Sequence, residues 1–132
     1  MRDSKGSIAI ESLLLVPVLF IFATLVVFVT RLTDASGHVQ RAADVAARVA
    51  SQSSQGLAIS RAEAVALSSL NVPSSGCILP TVAVSRYRVQ RELRYEVRVS
   101  CRVNLRGLGL LSVGTRNVSA KSTEVVDVYT NR

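Results

Sequence analysis

The chain changes its pattern of apolar and polar positions three times. Residues 8–30 are apolar on every side, and Glu11 is the only charge among those 23 residues. At about 1.5 Å per residue, a helix of that length crosses a hydrocarbon core of roughly 30 Å. The uncharged stretch 12–30 is 19 residues and still suffices. Residues 33–55 stay in helical mode, but apolar positions now recur only at spacings of three and four. Val39, Ala42, Ala43, Ala46, Val49 and Ala50 make one narrow stripe, and alanine has the highest helix propensity. A single helix from about residue 7 to 51 would be roughly 67 Å long. Its lower half is apolar all round, and its upper half offers one small-residue face to a sheet or another helix. Ser36 and Gly37 interrupt the pattern and mark a candidate hinge.

Residues 51–56 read as a polar linker. Ser60 and Glu63 then have the spacing of a capping box ahead of a short helix over 61–70. The segment 71–76, with Pro73 and Gly76, reads as a loop. From Thr81 the period becomes two. Tyr87, Val89, Leu93, Tyr95, Val97, Val99, Cys101, Val103 and Leu105 fall on odd numbers, and polar residues fill the even ones. This predicts half-buried antiparallel strands with a turn near residues 90–92. Gly107 to Leu111 form an apolar connection, and 117–129 offers a third strand with Val118, Ala120, Val126 and Val128 on one face. The fold class is α+β: a long amino-terminal helix, a short helix and a small antiparallel sheet of about three strands.

At 132 residues the chain is one small unit. Some 30 residues go to the leader and apolar run, so about 100 remain to build a modest core. External stabilisation is therefore expected, from a disulfide or from neighbouring subunits. Cys77 and Cys101 are the only cysteines; two cannot make a four-ligand zinc site, and His38 is distant in sequence. In an exported domain they pair as a disulfide, worth about 3 kcal/mol in the chain-entropy model. The formal charge is +7, which points to acidic partners without choosing among them.

Basic residues Arg2 and Lys5 precede the apolar run and favour a cytoplasmic amino terminus. A cleaved secretory signal has a shorter apolar region and no internal acid, and Thr33-Asp34-Ala35 is a poor cleavage site. Pro17 lies inside the run, where it either bends the helix for subunit packing or is simply tolerated. Glu11 is costly there, about 2.5 to 3.5 kcal/mol at the bilayer centre and less near the edge. Such an acid usually marks function and needs a partner. A cut after Gly6 would create one, an ammonium on Ser7.

No nucleophile elbow, paired-cysteine, zinc-protease or phosphate-loop motif is present, and the acids do not cluster. Neither enzymatic activity, nor a cofactor, nor a metal is expected. The lone His38 reads as structural or solvent-exposed. Seven arginines against Glu92 and Glu96 give +5 over residues 86–106. Arg86, Arg88, Arg94, Arg98 and Arg102 are read as one face of the sheet. It is either a solvated surface or a site for nucleic acid or an anionic cell-surface polymer. Tyr87 and Tyr95 share parity with the apolar face, which argues against a base-stacking platform.

Gly6 followed by Glu11 resembles the processing site of type IV pilin-like proteins. The longer run Ile-Glu-Ser-Leu-Leu-Leu-Val-Pro, ending at Pro17, resembles the TadE/TadF-type pseudopilins of tight-adherence pilus systems. So do Arg41-Ala-Ala-Asp-Val-Ala-Ala-Arg48 and the carboxy-terminal run ending at Tyr129. The resemblance is close over residues 5–50 and loose over the sheet. It implies a pilin-like fold, cleavage between Gly6 and Ser7 by a prepilin peptidase, and an assembly role for Glu11. Implied partners are that peptidase, other pilins or pseudopilins, the assembly platform and membrane lipid. Ser7 replaces the phenylalanine common at the new terminus of major pilins. The expected layout is a leader at 1–6, a transmembrane helix at 7–31, its extramembrane continuation and linker at 32–56, and a small extracytoplasmic domain at 57–132. The expected place is the inner membrane, single-pass, with onward incorporation into a pilus. An anchored accessory protein that is never cleaved is the competing reading.

Overall fold

A computed structural model describes residues 5–104 and 114–126. One unbroken helix, α1 (Lys5–Gln52), runs through both apolar modes and carries Pro17 inside it. It is 48 residues long, about 72 Å at 1.5 Å per residue. A short connection leads to α2 (Ala58–Leu70), which folds back along α1. A 3-10 turn at Pro73–Ser75 then feeds a three-stranded antiparallel sheet, β1 (Cys77–Val89), β2 (Glu92–Asn104) and β3 (Thr115–Val125), in the order β1-β2-β3. The expected α+β architecture is present.

One core joins these elements. From α1 it takes Ala35, Val39, Ala42, Ala43, Ala46, Ala47 and Ala50, all at 3% exposure or less. From α2 it takes Ala58, Ala62, Ala66 and Leu70, and from β2 Tyr95, Val97, Val99, Cys101 and Val103. Alanines at i and i+4 let the two helix backbones approach closely, because no side chain beyond a methyl separates them. Val49, read as part of the stripe, is only half-buried. Ala35 and Ala47 extend the stripe instead.

Three local expectations are corrected. The capping box does not form: α2 starts at Ala58, and the Ser60 hydroxyl donates to the Leu57 carbonyl at 3.1 Å. The amides of Leu57 and Ala58 both donate to the Ser54 carbonyl, so a turn hands straight into the helix. Burial of Ala58 and Ala62 starts the helix upstream of the serine. The linker is correspondingly shorter at its start, since α1 persists through Gln52. The first strand begins at Cys77 rather than Thr81, with an irregularity between Ile78 and Thr81.

A fourth correction concerns the sheet faces. Only Gln90 and Arg91 separate the strands of the first hairpin, so Val84 pairs with Val97, Arg86 with Tyr95 and Tyr87 with Arg94. Each pair joins an even residue to an odd one, and residues directly opposite point to the same side of a sheet. Parity therefore inverts across the turn. In β1 the helix-facing residues are Val82 and Val84, not Tyr87 and Val89, which are 37% and 41% exposed. Leu79 in the irregular segment has φ 54°, a left-handed conformation that costs a leucine about 1–2 kcal/mol. The disulfide Cys77–Cys101 closes this end of the sheet, with Cα atoms 5.6 Å apart. The end of the third strand read at 127–129, and the connection at 107–111, lie outside the described residues.

Candidate functional site

Over residues 13–23 α1 is exposed at every position, and only further along is Phe28 partly buried against the core. Leu13, Leu14, Val16, Leu19, Phe20, Ile21 and Phe22 are all exposed, and no residue of its most apolar span-length stretch is buried. Exposure of so many large apolar side chains on consecutive turns is compatible with lipid and not with water. The hydroxyls inside and just above this stretch are satisfied within the helix. Thr24 donates to the Ile21 carbonyl, Thr30 to Val26 and Thr33 to Val29, at 2.8–3.0 Å. A polar side chain in lipid has few other partners.

Glu11 lies on this bare helix, exposed, with no ion pair among the described residues. Gly6 and Ser7 fall in its first turns as helical backbone, six residues and more below Leu13. Pro17 sits between Glu11 and the hydroxyl residues without ending the helix. All four thus lie on the same helix, and Glu11 and Pro17 are exposed there.

The arginines do not form one face. Arg86 and Arg88 stand on the helix side of the sheet, opposite Tyr95 and Leu93, while Arg94, Arg98 and Arg102 stand on the outer side. The cause is the parity inversion already described. On the outer side three of the cations have an acid partner. Arg94 donates to Glu92 at 2.7 Å, and Glu96 meets both Arg98 at 3.3 Å and Lys121 at 3.6 Å. The hydrogen bond to Glu92 raises the Arg94 guanidinium above its ordinary range. Arg86, Arg88 and Arg91 have no acid partner among the described residues, and they flank Gln55 at the end of the sheet next to the α1–α2 connection. His38 is half-buried on α1. No group of three or more metal-ligating side chains occurs among the described residues.

Sequence reasoning missed two polar features. Glu124 of β3 reaches Arg48 of α1 at 3.9 Å, and the Tyr95 hydroxyl is buried with no partner among the described residues. The first could not be read without the helix-to-sheet packing. The second was hidden because tyrosine fits an apolar parity as well as phenylalanine does.

Fold and site together define a class: a small α+β head carried on its own membrane-length helix. Residues 6–48 match the model of the TadE-like protein family, the family whose motifs the sequence resembles. The match takes in Gly6, Ser7, Glu11, Pro17 and the alanine stripe as far as Ala47, and stops before α2 and the sheet. It supports an involvement of the chain in a tight-adherence pilus system, with α1 as a membrane anchor. Comparison with curated proteins and with solved structures gives no match.

Proposed function

We propose that the protein is a minor pilin or pseudopilin of a tight-adherence pilus, a structural and assembly component without enzymatic activity. The observation that carries this reading is Glu11 on a bare apolar helix within the TadE-like match. A prepilin peptidase cuts between Gly6 and Ser7 and frees an ammonium on Ser7. In lipid, Glu11 of one subunit then lies beside the Ser7 ammonium of its neighbour. An ion pair in low dielectric is favourable once both charges are already committed there. The pairing is directional, so it sets an axial stagger between packed helices. The amino terminus stays cytoplasmic and the head is extracytoplasmic.

The arginines favour this structural role over a nucleic-acid surface. On the outer face Arg94 and Arg98 are already engaged by Glu92 and Glu96, which leaves Arg102 as the one arginine there without an acid partner among the described residues, short of the run of free cations a long polyanion needs.

Amino-terminal sequencing of the mature protein, from cells with and without the peptidase, tests the proposal. Ser7 is expected first with the peptidase and an uncut leader without it. In the same cells, Glu11→Ala is expected to be cut and inserted yet absent from pili. A leader retained in both backgrounds, or normal pili from the Glu11→Ala cells, would overturn the reading.

A further inference from the structure

The charge and apolar surface of the head are segregated along the axis of α1. Gln55, just beyond the end of α1, lies by Arg88 and Arg91 at the first hairpin, so that hairpin is the end of the head far from the apolar half of α1. The opposite end holds Cys77, Val103 and the 3-10 turn. Residues 71–85 there contain no charge at all.

The height of that end follows from the registers. Glu124 sits by Arg48 and pairs across the sheet with Tyr95. Val103 is eight residues further along β2, about 26 Å at 3.3 Å per residue. A helix descends that distance in about 17 residues, from Arg48 to near Arg31. Any inclination of the strands raises the level slightly, towards Ala35, the lowest fully buried residue of α1. The apolar run ends at Thr30. Among the described residues, the base of the head therefore stands near the level where the apolar run of α1 ends, and Phe28 near the end of that run is partly buried against the core.

That base exposes an apolar rim. Leu79 is 70% exposed, and Val72 and Ile78 are each more than 40% exposed. Leu79 also holds a left-handed backbone that glycine would adopt freely. The strained residue is thus a large apolar one that packs on little of its own domain. Arg102 pairs with Ile78 across the strands and Arg116 with Val103, so two arginines stand at the same height. Neither has an acid partner among the described residues. Arg31 joins them on α1, and the exposed Asp34 is the acid on that helix nearest this level.

We propose that the base of the head is seated on the bilayer leaflet from which α1 emerges. Ile78 and Leu79 enter the headgroup boundary, and Arg102 and Arg116 meet anionic lipid phosphates. An apolar wedge flanked by basic residues is the chemistry that binds an anionic interface. The occupant is the membrane because the rim stands at about the height where the apolar run of α1 ends. Seating would hold the head at a fixed height while Glu11 finds its partner below. The inference rests on the reading of α1 as a membrane span.

The chain contains no tryptophan, so a single introduced one reports its own depth. The full-length protein, disulfide intact, is placed in vesicles of mixed neutral and anionic phospholipid. Leu79→Trp, Ile78→Trp, Phe20→Trp and Val89→Trp are compared in lipid without bromine, with bromine near the headgroup end of the acyl chains, and with bromine near their methyl end. Emission from Leu79→Trp and Ile78→Trp is expected to fall about twofold or more with the headgroup-end bromine, as expected of a residue within the interface. Phe20→Trp, about 15 Å below Thr30, should be quenched by the methyl-end bromine, and Val89→Trp at the far end of the head should be unaffected by either. Quenching at Phe20→Trp with none at either Leu79→Trp or Ile78→Trp would overturn the seating alone. No quenching at Phe20→Trp would overturn the membrane reading and the seating with it. In vesicles of neutral lipid only, the quenching of Leu79→Trp should weaken; equal quenching there would remove the role given to Arg102 and Arg116.

Discussion

The two halves of α1 are one helix in two solvents. Between Leu13 and Val29 the large side chains are leucine, valine, isoleucine and phenylalanine, and all but the partly buried Phe28 are exposed. Between Ala35 and Ala50 the buried positions are alanine and valine alone. Both halves are apolar where they make contact, so hydrophobicity does not distinguish them. Side-chain size does. Acyl chains rearrange around bulky groups. A helix packed on α2 and β2 has fixed neighbours and gains most from small residues that let backbones approach.

The sharpest way to break this comparison is one carboxylate placed three ways. Ala46→Asp puts a charge where exposure is 0%, with no cation provided for it. A buried unpaired charge costs about 3–5 kcal/mol, a large share of the 5–15 kcal/mol that holds a domain together. The head of Ala46→Asp in detergent is expected to be unfolded and protease-sensitive. Val45→Asp, one residue away and 46% exposed in the wild type, should leave the head folded. Leu19→Asp should impair membrane insertion by about 2.5–3.5 kcal/mol yet leave the melting of the head unchanged. A head unfolded equally by Val45→Asp and Ala46→Asp would contradict the narrow stripe.

A smaller effect probes how the head, unlike the bare half, depends on internal links. Cys77 and Cys101 are 24 residues apart in sequence. Closing a loop of that size contributes about 3 kcal/mol by restricting the unfolded chain. The double variant Cys77→Ser, Cys101→Ser should lower the urea midpoint of the head accordingly, with the helicity of the apolar half unaltered. A midpoint that does not move would mean that the alanine-based core suffices by itself.

These regions also differed in how far the sequence revealed them. The apolar run, the long helix and the period-two strands were legible because each depends on contacts between residues near in sequence or on plain composition. The family resemblance was legible for the same reason, since the family match falls on the contiguous residues 6–48. What failed depends on registers and packing. Ser60 and Glu63 had the spacing of a cap, but burial of Ala58 and Ala62 set the helix start instead. Arg86 and Arg94 shared parity along the chain, yet a two-residue turn placed them on opposite sides of the sheet. The turn itself was anticipated near the right residues; its effect on parity was not carried through. Leu79 and its left-handed backbone had no signal at all, since glycine or asparagine is the usual mark of such a site.

The smallest predicted effect has the opposite sign and concerns how each half treats its polar atoms. Thr24, Thr30 and Thr33 in the lower half each donate to a carbonyl of their own helix. In the head, Tyr95 is 1% exposed and its hydroxyl has no partner among the described residues. A buried hydroxyl without a hydrogen bond loses its hydration and gains nothing in return, a deficit of about 1–3 kcal/mol. Tyr95→Phe removes that deficit and keeps the ring that packs beneath α1. It is expected to stabilise the head by about 1 kcal/mol, a rise of about 4–8 °C in Tm for a domain of this size. Removing the hydroxyls of the lower half, as in Thr30→Val, should leave that Tm unmoved, because those groups lie outside the folded head. A drop in Tm for Tyr95→Phe would show that the hydroxyl does have a partner, and the core beneath α1 would then be less purely apolar than its alanines suggest.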